Sequence, residues 1–320
     1  MSKLRTAYEL FKATYQEWSS DKTSQMAAAL AFYGVFALAP LVIIAVAIAG
    51  SVFGQEAAQG EVQRQLHHAV GPTVAQAIED TLQYSQTTSG SFVATTISII
   101  VLVVGILSLF GQLQDSLNTI WGVKAKSGRG LWAAVRDRVA SFILMIGVAV
   151  LLLASLVANS AVHVFHQYLH LVDLGGLGLW RTINWIVSFV LVTVLFAMVY
   201  KVLPDVKTSW KDVWVGAALT AVLFEIGNYL ITLYLSRSGT ASAYGAAGSI
   251  VILLLWVYYS SQVLLFGAEF TQVYANCFGE PVVAEEQAKL VDFRTQPRKK
   301  LAERCGQGPH RAPVSHGTAA

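Results

Sequence analysis

The sequence predicts an all-α, polytopic membrane protein. The expected fold is a helical bundle of six transmembrane helices with both termini in the cytoplasm, an N-terminal amphipathic interfacial helix and a helical outer loop. Three observations carry this. The 320 residues are 55% hydrophobic and only 13% charged, with mean hydropathy +0.54, whereas a soluble domain is normally about 25% charged. Between Ser238 and Ala268 there is no Asp, Glu, Lys or Arg. A bilayer core of about 30 Å needs roughly 20 mostly apolar helical residues, and this run supplies them. Lys and Arg are also divided very unevenly among the connections. Four lie in the N-terminal segment, five after the second span, three around the end of the fourth and seven in the tail, against Arg64, Arg181 and Arg237 on the other side. That asymmetry places both termini in the cytoplasm.

Residues 1–25 form a cytoplasmic amphipathic segment. Leu4, Tyr8, Phe11, Tyr15 and Trp18 recur at steps of four and three, with Lys3, Arg5 and Lys12 on other faces. The pattern fits a helix lying in the interface plane and equally one packed on the bundle. Asp21 is placed to cap the next helix. The transmembrane domain is expected over 26–278. Its first span, Met26 to Phe53, is too long for a signal-peptide core and carries Pro40 at mid-span, where a lost backbone hydrogen bond should kink the helix. An outer loop over 54–90 holds two short amphipathic patterns, the second marked by Val74, Ile78 and Leu82, punctuated by Gly71-Pro72.

The second span is Phe92 to about Leu113, where Gly105, Ser108 and Gly111 are spaced for close helix approach, followed by Gln112, Gln114, Asp115 and Asn118. The later spans are Val139 to about Phe165, Ile183 to Leu203 (stopped by Pro204-Asp205), Val213 to Leu235, and Ser249 to about Tyr274. Residues 279–320 have Pro, Gly and scattered charge without periodicity, and are expected to be a disordered basic cytoplasmic tail. The two cysteines, Cys277 and Cys305, offer no disulfide framework and no metal-ligand spacing.

The candidate site is a polar path along the fifth and sixth spans. Tyr258, Gln262, Glu269 and Gln272 share a face that lipid would leave without partners. Glu225 lies about 18 Å past Val213 at 1.5 Å per residue, near the midplane. A charge there costs about 2.5–3.5 kcal/mol, so it should be paired, protonated or facing water. Ala217 and Ala221 precede it and Asn228 follows. An ion or substrate contact and a plain interhelical hydrogen bond are both open readings. Glu269 should lie near the cytoplasmic boundary, where a salt bridge to Lys201 or Arg138 is the expected role. His163, His166 and His170 share a face compatible with metal spacing, but an interfacial polar belt is the better reading. No metal and no cofactor are expected. There is no Walker loop, no nucleotide-binding glycine fingerprint and no His-rich hydrolase motif.

The segments AAALAFYGVFALAPL, LPDVKTSWKDVWVGAALTAVLFEIGNYL and SAYGAAGSIVILLLWVYYSSQVLLFGAEFTQVYA resemble those of the YihY/BrkB family of bacterial inner-membrane proteins, over about residues 20 to 278. The resemblance implies six helices and a multi-pass location in the bacterial cell inner membrane. It implies no settled activity: members are linked to serum resistance, treated as transporters, or carry an old ribonuclease label. No catalytic residue is carried over, and a tRNA-processing ribonuclease is the reading the residues favour least. The expectation is a transporter or a lipid or small-solute permease with Glu225, Asn228, Tyr258, Gln262 and Glu269 along its path and Pro40 permitting bending. The alternative is a non-catalytic scaffold or envelope-assembly factor. Expected partners are anionic headgroups at the cytoplasmic face and an unidentified solute or lipid, with no nucleic acid; a homo-oligomer is compatible.

Overall fold

The computed structural model describes residues 3–37, 67, 72, 74–76, 78–79, 92–125, 177–237, 248–278, 283–284 and 288–290. The described helices are α1 (Lys3–Ser20), α2 (residues 23–37), α3 (Phe92–Trp121), α4 (Leu177–Val202), α5 (Trp210–Arg237) and α6 (Gly248–Phe278). Four short strands accompany them: β1 (Val123–Ala125), β2 (Val206–Lys207), β3 (Val283–Ala284) and β4 (Ala288–Leu290). Three helices among the described residues are long and apolar enough to cross a membrane, over Trp185–Val202, Trp210–Tyr234 and Gly248–Phe278. They coincide with the fourth, fifth and sixth expected spans. The second expected span falls in α3, which runs on to Trp121. The third span, Pro40 and the rest of the first span lie outside the described residues.

Helix α6 is the hub. Gly267 to Val273 are all buried, so for two turns this helix is covered on every side. α5 covers one side, α1 and α2 another, and α3 a third. The main apolar cluster draws on five helices, with Leu30, Leu117, Tyr200, Val213 and Leu265 among its members. A second cluster docks Val74 and Ile78 of the expected outer loop against Ile252, Leu253 and Val257 at the other end of α6. The expected helical pattern at Val74 and Ile78 is therefore a docked element, not a free loop.

The α5–α6 contact is set by one motif used twice. Gly216-Ala-Ala-Leu-Thr220 on α5 and Gly267-Ala-Glu-Phe-Thr271 on α6 run antiparallel, and each threonine fills the gap left by the other helix's glycine. A Cβ at Gly216 would lie 1.7 Å from Thr271 Oγ1, and one at Gly267 would lie 1.8 Å from Thr220 Oγ1. Each hydroxyl donates to the carbonyl four residues back, Thr220 to Gly216 and Thr271 to Gly267, at 2.7 Å in both cases. This satisfies the hydroxyls without water, as a lipid setting demands. Tyr200 of α4 locks the pair: its hydroxyl donates to the Leu264 carbonyl at 2.7 Å and lies 2.9 Å from Thr220 Oγ1. Close approach also occurs at Gly105, where a Cβ would sit 3.5 Å from Phe36, while among the described residues nothing lies within 4 Å of a Cβ at Gly111.

Two features at the α1 end bear on the sequence reading, which left α1 either in the interface plane or packed on the bundle. α1 docks through Leu10 and Ala13, with Leu10, Ala13, Val273 and Cys277 in one cluster and Phe11 5.6 Å from Phe270. Tyr8 and Tyr15 of the expected apolar face remain exposed. The chain turns at Asp21–Lys22, with Lys22 in a left-handed conformation (φ 54°), and re-enters helix at Thr23. The second feature concerns the tail. The stretch 279–320 was expected to be disordered, yet β3 pairs antiparallel with β2 (Val206 opposite Ala284) and β4 with β1 (Val123 opposite Leu290). Two neighbouring loops each present an unpaired edge, and the segment from Val283 to Leu290 satisfies both. Of the stretch 279–320, these two strands are the described part, and the remaining residues lie outside the described ones. Cys277 is fully buried in the cluster beneath α1, and Cys305 lies outside the described residues.

Candidate functional site

The candidate residues fall into three separate groups. The first sits where α5 faces the start of α6. Asn228 accepts a hydrogen bond from Trp256 Nε1 at 3.3 Å. Gly227, beside it, is needed because a Cβ there would meet the Tyr259 hydroxyl at 1.2 Å; that hydroxyl donates to the Leu223 carbonyl at 3.4 Å.

The second group is on the other face of α6. Gln262 donates to the Tyr258 hydroxyl at 2.7 Å, a contact that spacing of four predicts, and Gln262 Oε1 is buried without a partner. Tyr258 packs against both apolar clusters and so joins the two halves of the core. Glu269 follows Gln262 by seven residues on the same face and is fully buried, not at an exposed boundary. Thr23 Oγ1 donates to Glu269 Oε1 at 3.5 Å. The α1–α2 junction therefore covers this carboxylate with protein. Lys201, one expected partner, is engaged elsewhere: its ammonium donates to the Thr208 carbonyl and lies 5.6 Å from the Trp210 ring centroid. Arg138 lies outside the described residues. Gln272 on this face is buried too, so the polar face of α6 looks into protein.

Glu225 is the third element. It sits partly buried near the middle of α5, while Ala217 and Ala221 below it are fully buried. No hydrogen bond or ion pair is made by Glu225 among the described residues. Its depth matches that of Gln262, because the α5–α6 register sets Thr220 against Gly267 and Gly227 against Tyr259.

Sequence reasoning passed over a polar clamp at the α1 end. Asn118 of α3 donates through Nδ2 to Asp205 Oδ2 at 3.0 Å and accepts through Oδ1 from the Asp205 backbone N–H at 2.8 Å. Gln114 adds a bond to Asp205 Oδ1 at 3.3 Å. Asp115, exposed beside them, has its carboxyl held above the ordinary range, first by desolvation and then by the charge of Asp205. The signal was present as polar residues clustered after the second span and an Asp following Pro204, but their partnership spans 87 residues of sequence. In the segment between the first two expected spans, His67 Nε2 lies 3.2 Å from Glu79 Oε1. His163, His166 and His170 lie outside the described residues, and among the described ones no cluster of His, Cys, Asp and Glu could hold a metal ion.

Comparison with known proteins gives a consistent answer. A protein of Psychromonas ingrahamii named UPF0761 membrane protein is 27% identical over 288 residues, covering 85% of this chain and 89% of its own. One from Histophilus somni with the same name is 28% identical over 274 residues, covering 83% and 90%. Another, from Alcanivorax borkumensis, is 25% identical over 269 residues, but the match spans 82% of this chain and only 59% of that protein. Several relatives are thus longer than the region shared. No solved structure matches the chain. The printed names say membrane protein and nothing catalytic, and bacterial relatives of this kind fit an inner-membrane location. The profile of the family described as Virulence factor BrkB matches residues 14–290, and the chain, an integral membrane protein, belongs to that family.

Proposed function

We propose that this protein is a permease of the cytoplasmic membrane, with six spans and both termini inside, moving a small solute or lipid with Glu225 as the group that changes partner or protonation during transport. One observation carries this reading: a partly buried carboxyl near the centre of a membrane-length helix that makes no hydrogen bond or ion pair among the described residues. An ionised carboxylate at that depth costs about 2.5–3.5 kcal/mol, so a purely structural one is expected to be partnered. Asn228, Tyr258, Gln262 and Glu269 take secondary roles here, holding the helices around Glu225 in register.

The test is Glu225→Gln at matched expression in a phenotype-complementation assay. The amide keeps the shape and most hydrogen-bonding capacity but not the ionisable group. Normal membrane insertion with lost complementation supports the permease; full complementation removes the case for coupling at this carboxyl. The second reading, a scaffold or envelope-assembly factor, is favoured by the interlocked threonines and glycines, which make α4, α5 and α6 a tightly fitted unit. It predicts that Glu225→Gln is silent. For the topology, reporter fusions after Gly128, Lys207 and Ala302 should report cytoplasm, and those near Gln76, Gly176 and Gly239 the outer face. A cytoplasmic signal at Gly176 would overturn six spans.

A further inference from the structure

The corner between α4 and α5 carries three lysines and two exposed tryptophans at one level of the bundle. Lys201 ends α4, Lys207 lies in β2, and Lys211 stands in the first turn of α5. Lys207 and Lys211 are exposed, and neither makes an ion pair among the described residues. Of the acids nearby, Asp205 is buried in the Asn118 and Gln114 clamp and Asp212 in the first turn of α5, while Asp115 beside the clamp on α3 is exposed. Among the described residues, Lys207 and Lys211 thus present positive charge to their surroundings without an ion pair.

Its depth follows from the aromatics of α5. Trp210 (52% exposed) and Trp214 (43%) mark one end of the helix, and Tyr229 (70%) and Tyr234 (62%) the other. Between them Val222 and Ile226 are exposed apolar residues. At 1.5 Å per residue the two aromatic pairs are separated by about 22 to 36 Å, which brackets a hydrocarbon core of about 30 Å. Trp and Tyr concentrate at the membrane–water interface because their rings are apolar and their N–H or O–H is polar. The three lysines are therefore level with the phosphates of one leaflet. Lys201 is already held in place, bonded to the Thr208 carbonyl and lying 5.6 Å from the Trp210 ring. An ammonium has three donors, so this one retains capacity for an oxyanion at the membrane surface.

We propose that the α4–α5 corner is a binding site for the phosphate headgroup of an anionic phospholipid, with Lys201, Lys207 and Lys211 as its cationic wall and Trp210 and Trp214 against the upper acyl chain. The site does not depend on the transport reading, since none of its residues touches Glu225. Each lysine near a membrane surface contributes a factor of about five in attraction to anionic lipid. The headgroup source is the bilayer: the tryptophans bordering the charge have no role for a free anion.

The experiment is native mass spectrometry of the detergent-purified full chain, titrated with dioleoylphosphatidylglycerol or dioleoylphosphatidylcholine. The wild type should bind the glycerol lipid in preference to the choline lipid. Lys207→Gln/Lys211→Gln should weaken that binding at least tenfold, while Lys3→Gln/Lys12→Gln, with the same loss of charge on α1, should leave it unchanged. Both lysines are exposed, but should the double variant not fold, each single variant carries the test at about fivefold. Equal weakening by the α1 control, equal affinity for the two lipids, or full displacement of the glycerol lipid by millimolar inorganic phosphate would each overturn the site.

Discussion

Gly216→Ala is the perturbation that most directly probes how the helices are held. The added Cβ would lie 1.7 Å from Thr271 Oγ1, 2.7 Å from Thr271 Cβ and 3.1 Å from Thr271 Cγ2. Rotating the hydroxyl away relieves only the first contact, because Thr271 Cβ is fixed to the backbone of α6. To restore an ordinary carbon–carbon separation of about 3.5–4.0 Å, α5 and α6 must part by roughly 1 Å at this level. A gap of that size forfeits a quarter to a half of the dispersion energy of every pair that faced across it. It also strains the Tyr200 bridge from Thr220 to Leu264. Overpacking of this kind costs about 1–3 kcal/mol, and the upper half of that range is expected here. Gly111→Ala is the control: nothing among the described residues lies within 4 Å of a Cβ there, so the helix should gain about 0.5–1 kcal/mol from the better helix former. Thermal or SDS-induced unfolding in detergent measures both. Adding Thr271→Ala should recover part of the Gly216→Ala loss, because the two Thr271 atoms it deletes are among the three that clash. The reasoning fails if the two changes are additive, or if Gly216→Ala and Gly111→Ala have the same effect.

Two further outcomes are expected. Asp115 lies beyond the end of the expected second span, and its carboxyl titrates above the ordinary value through desolvation and Asp205. The folded state then keeps its proton at pH values where the unfolded chain has lost it, so its contribution turns unfavourable as pH rises from about 4 to neutrality. Asp115→Asn should flatten that slope and stabilise at pH 7 by a few tenths of a kcal/mol, the effect being small because the side chain is solvent-screened; melting temperatures at pH 4 and pH 7 decide it, and an unchanged slope refutes it. Replacing residues 283–290 with a Gly/Ser segment of equal length removes both ladders and should cost about 1–3 kcal/mol, from a few bonds worth roughly 0.5–1.5 kcal/mol each. An unchanged melting temperature would mean the strands contribute no stability.

What was legible in the sequence, and what was not, divides along a physical line. Long apolar spans announced themselves, because the bilayer requirement is met by a contiguous, mostly apolar run: the expected fifth and sixth spans fall within Trp210–Arg237 and Gly248–Phe278. Spacing along one helix was equally readable, and the bond between Tyr258 and Gln262 is one that spacing alone predicts. The glycine–threonine motif also stood in the sequence, at 216–220 and 267–271, and small residues four apart were the signal that could have found it. Partnerships between distant segments gave no such signal. Neither the Asn118–Asp205 clamp nor the seating of the 283–290 segment against two loops follows from local pattern. Both arise because loops that leave the bundle at the same end have donors and acceptors that must be satisfied by whatever is near.

The same distinction governs the candidate site. Depth marks Glu225 as an expensive group, and a shared helix face or neighbourhood brings in Asn228, Gln262 and Glu269. Depth and face could not tell which of those groups would find a partner, since partnership depends on the helix opposite. Asn228 meets the indole of Trp256, Gln262 meets Tyr258, and Glu269 is closed over by Thr23 at the α1–α2 junction. A polar group with its partner inside the protein has its cost offset there and explains cohesion. Among the described residues Glu225 has none, and Lys207 and Lys211 of the α4–α5 corner are exposed without an ion pair. Those two places are where the fold leaves electrostatic cost or capacity unmatched, and a solute at the first and a lipid phosphate at the second are the partners their chemistry calls for.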